Sequence, residues 1–453
     1  MTFVWKLLTS CWNSATRPGP AQTASWLDWL LLLAGHALVL VALYSVLYAT
    51  GIVSYAPTAQ LLINWDAGWF NSVRLQGYVA PNGGQSNIPF FPLFPYLWRL
   101  LGLDGMGISL LNGALLLLGM AWLGRTFELR RSQALLLLAV PSLFICYVPY
   151  AEALFFLFGA VLLRGLHRQQ LGLTLLGLLG CCLTRSAATL FVPALVLAEV
   201  VACTSRAELP RLALRLGAGL LAIATALGIV MYMHYRVTGD PLVFFEAHKQ
   251  WGHVPQWPPA KRIHSSAGLV VLWLDMLALF TGLLSAGICA GLGVRWLVGW
   301  WRPGAAPAAP SRAVVFSLGY ATAAIAFILL YQADDLVGSS RYVLATPFFG
   351  VLLAQLPRWR QLSSSARWGW AGLAGVLSLG MAAWLGWPMR FPGFFPASTQ
   401  WFFLTWAAYL VSFLLAAPGV WRYGRELRAS LYAASLIYQV FLLNLFLQAV
   451  WLG

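Results

Sequence analysis

The sequence predicts an all-α integral membrane fold, a single polytopic bundle of about 13 transmembrane helices over residues 1–453. Three observations predict it. Hydrophobic residues make up 60% of the chain and charged residues only 9%, where a soluble domain carries roughly 25% charged; too few polar groups remain to cover a water-facing surface. The apolar residues fall into runs of spanning length, spread along the whole chain. The basic residues cluster in short segments between those runs, so the +15 formal charge reads as membrane topology and not as a nucleic-acid footprint.

Taken in order, the apolar runs cover 27–50, 107–123, 133–147, 150–163, 171–184, 187–203, 216–235, 268–294, 313–331, 342–356, 368–387, 401–418 and 430–450. With the N-terminus inside and the chain alternating, inside segments hold 19 of the 28 Lys and Arg residues and outside segments hold nine. Every inside loop after the first span carries at least two, which places the C-terminus outside. Merging the runs around Pro149 or Arg185 breaks the alternation, so the charges favour keeping them separate. The first run starts near Trp26 and has no small-residue cleavage site, which argues against a cleaved signal peptide. The segment 303–312 is a Pro/Ala linker on the inside.

Two outside loops are long, about 51–106 and 236–267, and function is expected there. The first contains NWDAGWFNSVRLQGY, in which Asp66 follows Trp65 directly after the first span. A carboxylate between Trp65 and Trp69 at headgroup depth suits a general base or a hydroxyl-orienting group; as a structural alternative it caps an interfacial helix. Farther on, SNIPFFPLFPYLWRLLG spaces prolines among aromatics, giving a rigid turn or a groove wall for a lipid. The second loop has Gly239-Asp240-Pro241 to start a short helix, with Asp240 as cap and 242–251 as an amphipathic interfacial helix. His248, His253 and His264 lie there without HxH or HxxxH spacing, so no metal site is expected. Six cysteines (11, 146, 181, 182, 203, 289) form no CxxC pair and read as small apolar groups rather than a zinc site or disulfide framework.

Three charges at the outside edge are out of place for a lipid-buried chain. Glu152, in VPYAEALFF, opens a span; intramembrane acids face protein or water, though a helix N-terminus also favours one. Arg185, in CCLTRSAATLFVP, and Arg341, in DDLVGSSRYVLATPFF, break the positive-inside trend. Phosphate is one reason for such an arginine, because the guanidinium fork binds its oxygens bidentately. Pairing with Asp334, Asp335 or Glu152 is the other.

These segments resemble the PIG-V-like mannosyltransferases, a branch of the GT-C glycosyltransferases. The resemblance rests on NWDAGWFNSVRLQGY followed by FFPLFP, on PYAEALF, on LTRSAATLFVP, on SRYVLATPFF and on TGDPLVFFEAHKQW, in that order from about residue 60 to 350. It implies a GT-C-like bundle that takes a sugar from a polyprenyl-phosphate donor and passes it, with inversion, to a lipid or glycan acceptor outside the cytoplasm. It implies Asp66 as the catalytic residue, with Trp65, Glu152, Arg185, Arg341 and Tyr342 binding substrate. The chain departs from the pattern at His248, where relatives often carry Gln, and His248 is kept as a substrate-binding candidate. No cofactor or metal is expected, because the leaving group bears one phosphate. Partners are the donor, the acceptor and membrane lipids, with no nucleic acid. The compact loops favour a bacterial inner membrane with the site on the periplasmic side.

A polyprenyl-linked polysaccharide ligase or polymerase is the rival reading, resting on Arg236, His248 or His253 more than on Asp66. A transporter would place its charges at mid-membrane, whereas these gather at one edge.

Overall fold

The structure is a computed structural model. It describes residues 25–186, 188–257, 265–301, 311–332, 335–355 and 423–453, with 376, 409, 411 and 412. The expected spans 368–387 and 401–418, His264 and Asp334 lie outside the described residues.

The described chain is a helical bundle. Its helices are α1 (Trp26–Ala49), α2 (Asp66–Gln76), α3 (Leu93–Leu101), α4 (Gly105–Thr126), α5 (Arg131–Leu138), α6 (Glu152–Arg168), α7 (Leu171–Thr184), α8 (Ala188–Ala202), α9 (Leu209–Thr238), α10 (Val243–Gln250), α11 (Leu269–Trp301), α12 (Arg312–Tyr331), α13 (Ser339–Val343), α14 (Pro347–Gln355) and α15 (Gly424–Leu447). Among the described residues six helices are long and apolar enough to cross a membrane, namely α1, α4, α9 with its preceding turn, α11, α12 and α15. The 3-10 segment Pro141–Tyr147 and α6 meet the same test only as a pair, bent by 107°, the form of a broken span or a re-entrant loop. Helices α7 and α8 are apolar but only 14 and 15 residues long.

The first expected loop forms α2 and α3, and the second forms α10, as the interfacial helices required. Local details differ. Asp240 does not cap α10: Leu242 holds the cap position, and the Asp240 carboxylate accepts the Leu242 N–H at 2.8 Å, a turn one step before the helix. The expected span 133–147 is an eight-residue helix followed by the 3-10 segment, and the start of 342–356 is split between α13 and α14. At the first break Gln439 donates from Nε2 to the carbonyls of Leu138 and Val140, both at 3.0 Å, so a side chain meets backbone groups that a continuous helix would.

Helix α6 is the axis of the bundle, packing on α4 and α7, while α12 packs on α8 and α11. Approach is close where glycine faces a neighbour. A Cβ at Gly177 would lie 2.5 Å from Leu162 Cα between α7 and α6, and one at Gly124 would lie 2.1 Å from Trp29 Cη2 between α4 and α1. A second apolar cluster, including Phe70, Phe94, Trp98, Val243 and Ala247, joins α2 and α3 to α10. The two long loops therefore fold on each other over one end of the bundle.

Candidate active site

Asp66 is the first residue of α2, and its carboxylate does not cap that helix: the cap residue is Trp65, which makes no side-chain capping bond. Trp65 holds φ 54°, a backbone region that costs a bulky residue energy and persists only where surroundings enforce it. The surroundings are visible. Asn64 donates from Nδ2 to the carbonyls of Leu61 and Phe446, both at 2.9 Å, and the Asp66 N–H donates to the Tyr150 hydroxyl at 3.2 Å. Ala67, Phe70 and Val73 bury the inner face of α2. The turn thus presents Asp66 towards the bundle while Trp65 stays 43% exposed, in ring contact with Trp451 at 6.3 Å.

Glu152 is the first residue of α6 and is fully buried. The sharp entry to α6 is fixed by Asn112 of α4, whose Nδ2 donates to the carbonyls of Val148 (2.6 Å) and Tyr150 (2.9 Å). Arg185 is the extended residue that ends α7. Its guanidinium lies over the rings of Tyr342 (4.4 Å) and Phe155 (5.6 Å). Arg341 sits in α13, and its guanidinium lies 4.8 Å from the Tyr150 ring centroid.

These four charges meet. Arg341 Nη1 donates to Asp66 Oδ2 at 2.6 Å, and Arg341 Nε donates to Glu152 Oε1. Arg185 Nη1 is 2.9 Å from the same Glu152 oxygen, near enough to pair but not aligned for a hydrogen bond. Glu152 Oε2 is buried without a hydrogen-bond partner among the described residues. Two acids and two arginines leave the cluster formally neutral, and such pairing is what lets charge sit in so dry a place. The pairing alternative for both arginines thus resolves to Glu152 and Asp66. Asp335 is used elsewhere, accepting the Ser266 and Val337 amides at 3.0 Å each.

The turn that carries Arg341 rests on a residue sequence reasoning did not single out. Asp275, buried in α11, accepts the Ser340 N–H at 2.9 Å through Oδ1 and the Ser265 hydroxyl at 2.8 Å through Oδ2. An acid inside a long apolar run was its only sequence signal. Tyr320 of α12 donates to the Tyr342 carbonyl at 3.0 Å and fixes the other side of α13.

His248 does not join the cluster through any described contact. It packs on α10 against Phe244 (4.3 Å) and His253 (5.4 Å). Burial, and secondarily His253, pushes its pKa down to about 4, so the ring is neutral. Arg236 bonds Tyr232 one turn back on its own helix. Among the described residues no three His, Cys, Asp or Glu side chains gather as a metal-binding group.

No family model matches the sequence, and no curated protein matches it. Among solved structures the chain is similar to the crystal structure of ArnT from Cupriavidus metallidurans bound to undecaprenyl phosphate, at 16% identity and TM-score 0.47, over 94% of this chain and 78% of that chain.

Proposed function

We propose that the chain is a membrane glycosyltransferase of the GT-C type. It moves a sugar, mannose by its sequence resemblance, from a polyprenyl-phosphate donor to a lipid-linked or glycan acceptor on the non-cytoplasmic face of a bacterial inner membrane. The observation that carries the reading is the convergence of Asp66, Glu152, Arg185 and Arg341 from four separate helices or turns. Asp66, with its side chain 23% exposed, is the carboxylate of the cluster that an acceptor can reach.

In this reading Asp66 takes the proton from the acceptor hydroxyl as the oxygen attacks the anomeric carbon. The bond from that carbon to the phosphate oxygen breaks on the opposite face, which inverts the centre, and the carrier departs as an anion. Arg341 stabilises that charge with Arg185 behind it, an electrostatic role in a water-poor site. The donor phosphate displaces the Asp66 carboxylate from Arg341 on binding, which frees Asp66 to act as a base. Glu152 keeps both guanidinium groups in place throughout. A monophosphate leaving group needs no resident metal in this scheme.

The test is sugar transfer from synthetic polyprenyl-phosphate mannose to a native lipid extract in detergent, comparing wild type with Asp66→Asn. Loss of transfer by about 10²–10⁴-fold is expected, the usual contribution of a general base. Undiminished transfer by a folded Asp66→Asn protein overturns the role given to Asp66. Absence of transfer by wild type overturns this donor.

A further inference from the structure

At the other end of the bundle two arginines have no acid to answer them among the described residues. Arg125 lies in the last turn of α4 with its guanidinium 4.2 Å from the Trp26 ring centroid, and Arg164 of α6 lies 5.2 Å from that of Trp122. The two tryptophans touch, with centroids 6.3 Å apart, so the four side chains form one contiguous patch. Arg164 is 12 residues beyond Glu152 on the same helix, about 18 Å along the axis at 1.5 Å per residue. The patch is therefore separate from the carboxylate cluster.

Its side-chain polar atoms are all donors, and two are idle. Among the described residues Arg125 Nη1 and Trp122 Nε1 are buried without a hydrogen-bond partner. Neither arginine has an ion pair among the described residues; Asp28, the acid nearest Trp26 in sequence, pairs with Arg131 at 2.9 Å. Of the chain's 13 acids only Asp334 falls outside the described residues. Half-buried cations with unmet donors are costly unless an anion completes them.

We infer that the Arg125–Trp26–Trp122–Arg164 patch binds the phosphate of an anionic phospholipid head group. Guanidinium forks match phosphate oxygens, and an indole N–H beside them adds a neutral donor. Tryptophan faces hold the guanidinium planes. The apolar flanks of α1 and α4 accommodate acyl chains, since Leu27, Leu30, Leu31 and Leu118 are exposed. A lipid so placed ties α1, α4 and α6 together at the end remote from the chemistry. The inference goes beyond the transferase reading and stands without it.

The test is native mass spectrometry and thermal unfolding of the full chain in neutral detergent. Phosphatidylglycerol, phosphatidylcholine and inorganic phosphate are titrated separately. Each surface cation is worth about five-fold in affinity for an anionic lipid. Phosphatidylglycerol is therefore expected to bind Arg125→Gln/Arg164→Gln roughly 25-fold more weakly than wild type, while Arg131→Gln, changed at an exposed and already paired arginine, binds as wild type does. If the double variant does not fold, Arg164→Gln alone is expected to show the five-fold loss. Equal binding by wild type and a folded variant overturns the site. Equal stabilisation by phosphatidylcholine, or by inorganic phosphate at the same concentration, overturns the assignment to an anionic lipid. Neither readout involves sugar transfer, so failure here is distinct from failure of the proposed reaction.

Discussion

Arg341 bridges Asp66 and Glu152, donating from Nη1 to one carboxylate and from Nε to the other. One guanidinium thus joins the first long loop to the buried start of α6. Removing it leaves two acids without their shared counter-charge, which typically costs about 3–5 kcal/mol at a buried pair. Arg341→Ala is expected to lower the unfolding temperature in detergent and to abolish transfer. Arg341→Lys keeps a charge but cannot present two donors along a rigid edge. It is expected to fold and to lose donor affinity by tenfold or more, read as a raised KM. A lysine variant with unchanged KM would show that the fork does not recognise the donor.

Glu152 and Asp66 share Arg341 but differ in burial, and their substitutions are expected to differ accordingly. Glu152 is fully enclosed and holds both guanidinium groups, so Glu152→Gln removes the anchor of the arginine pair. Stability and KM are both expected to suffer. Asp66 sits at the edge, so Asp66→Asn is expected to lower kcat by about 10²–10⁴-fold with a much smaller effect on unfolding. Parallel kinetics and melting curves on the two variants decide the matter; the reverse pattern would exchange their roles.

Asp275 supports Arg341 at one remove, through the Ser340 amide. Asp275→Asn retains an acceptor for that amide, and the Ser265 hydroxyl can turn to bond the new side chain. Asp275→Ala leaves a buried N–H and a hydroxyl unmet, at about 1–3 kcal/mol for each. The alanine variant is expected to melt earlier and to transfer poorly, with the asparagine variant restoring most of both. Equal loss in the two variants would mean that the negative charge matters, rather than its hydrogen bonds.

The long helices were legible because lipid imposes a simple demand on sequence. Runs such as 27–50, 216–235, 268–294 and 313–331 became α1, α9, α11 and α12 with ends shifted by a few residues to a full turn or two. The break before α6 was not legible, since its cause is Asn112 bonding the carbonyls of Val148 and Tyr150 from another helix. The site charges were legible as misfits: Asp66, Glu152, Arg185 and Arg341 each stood out against an apolar or acid-poor background. Their mutual pairing was open, because it depends on where α7 and α13 end in space. Asp275 and Tyr150 passed unremarked, as their partners are remote in sequence and their own segments look like ordinary span and turn.

Packing gives a prediction that does not depend on chemistry. A Cβ at Gly124 would meet Trp29 at 2.1 Å, while one at Gly228 on α9 meets nothing within 4 Å. Gly124→Ala forces α1 away from α4 or the indole out of its rotamer, and overpacking of this kind costs about 1–3 kcal/mol. Gly228→Ala is expected to be close to neutral. Thermal unfolding of both in the same detergent checks the contrast, and a stable Gly124→Ala protein would show that α1 is loosely held.

The docking of the second loop on the first carries a pH dependence of definite sign. His248 on α10 packs against Phe244 and His253, and burial lowers its pKa to about 4, with His253, itself pushed down by burial, contributing. An unfolded or undocked histidine titrates near 6.5. The undocked state therefore binds the proton more readily at mildly acidic pH, and stability falls wherever that holds. The neutral ring's contribution is fully present above about pH 6.5 and is lost as the pH falls towards 4. Lys249 and Glu246 pair with each other on the exposed face, so Glu246 offers the new charge no ready counter-ion. Amide hydrogen exchange across 243–257 is expected to quicken, after correction for intrinsic rate, between pH 6.5 and 4. His248→Gln should weaken that response. Protection that is constant over this range in wild type would mean that His248 is not buried as neutral imidazole in this loop.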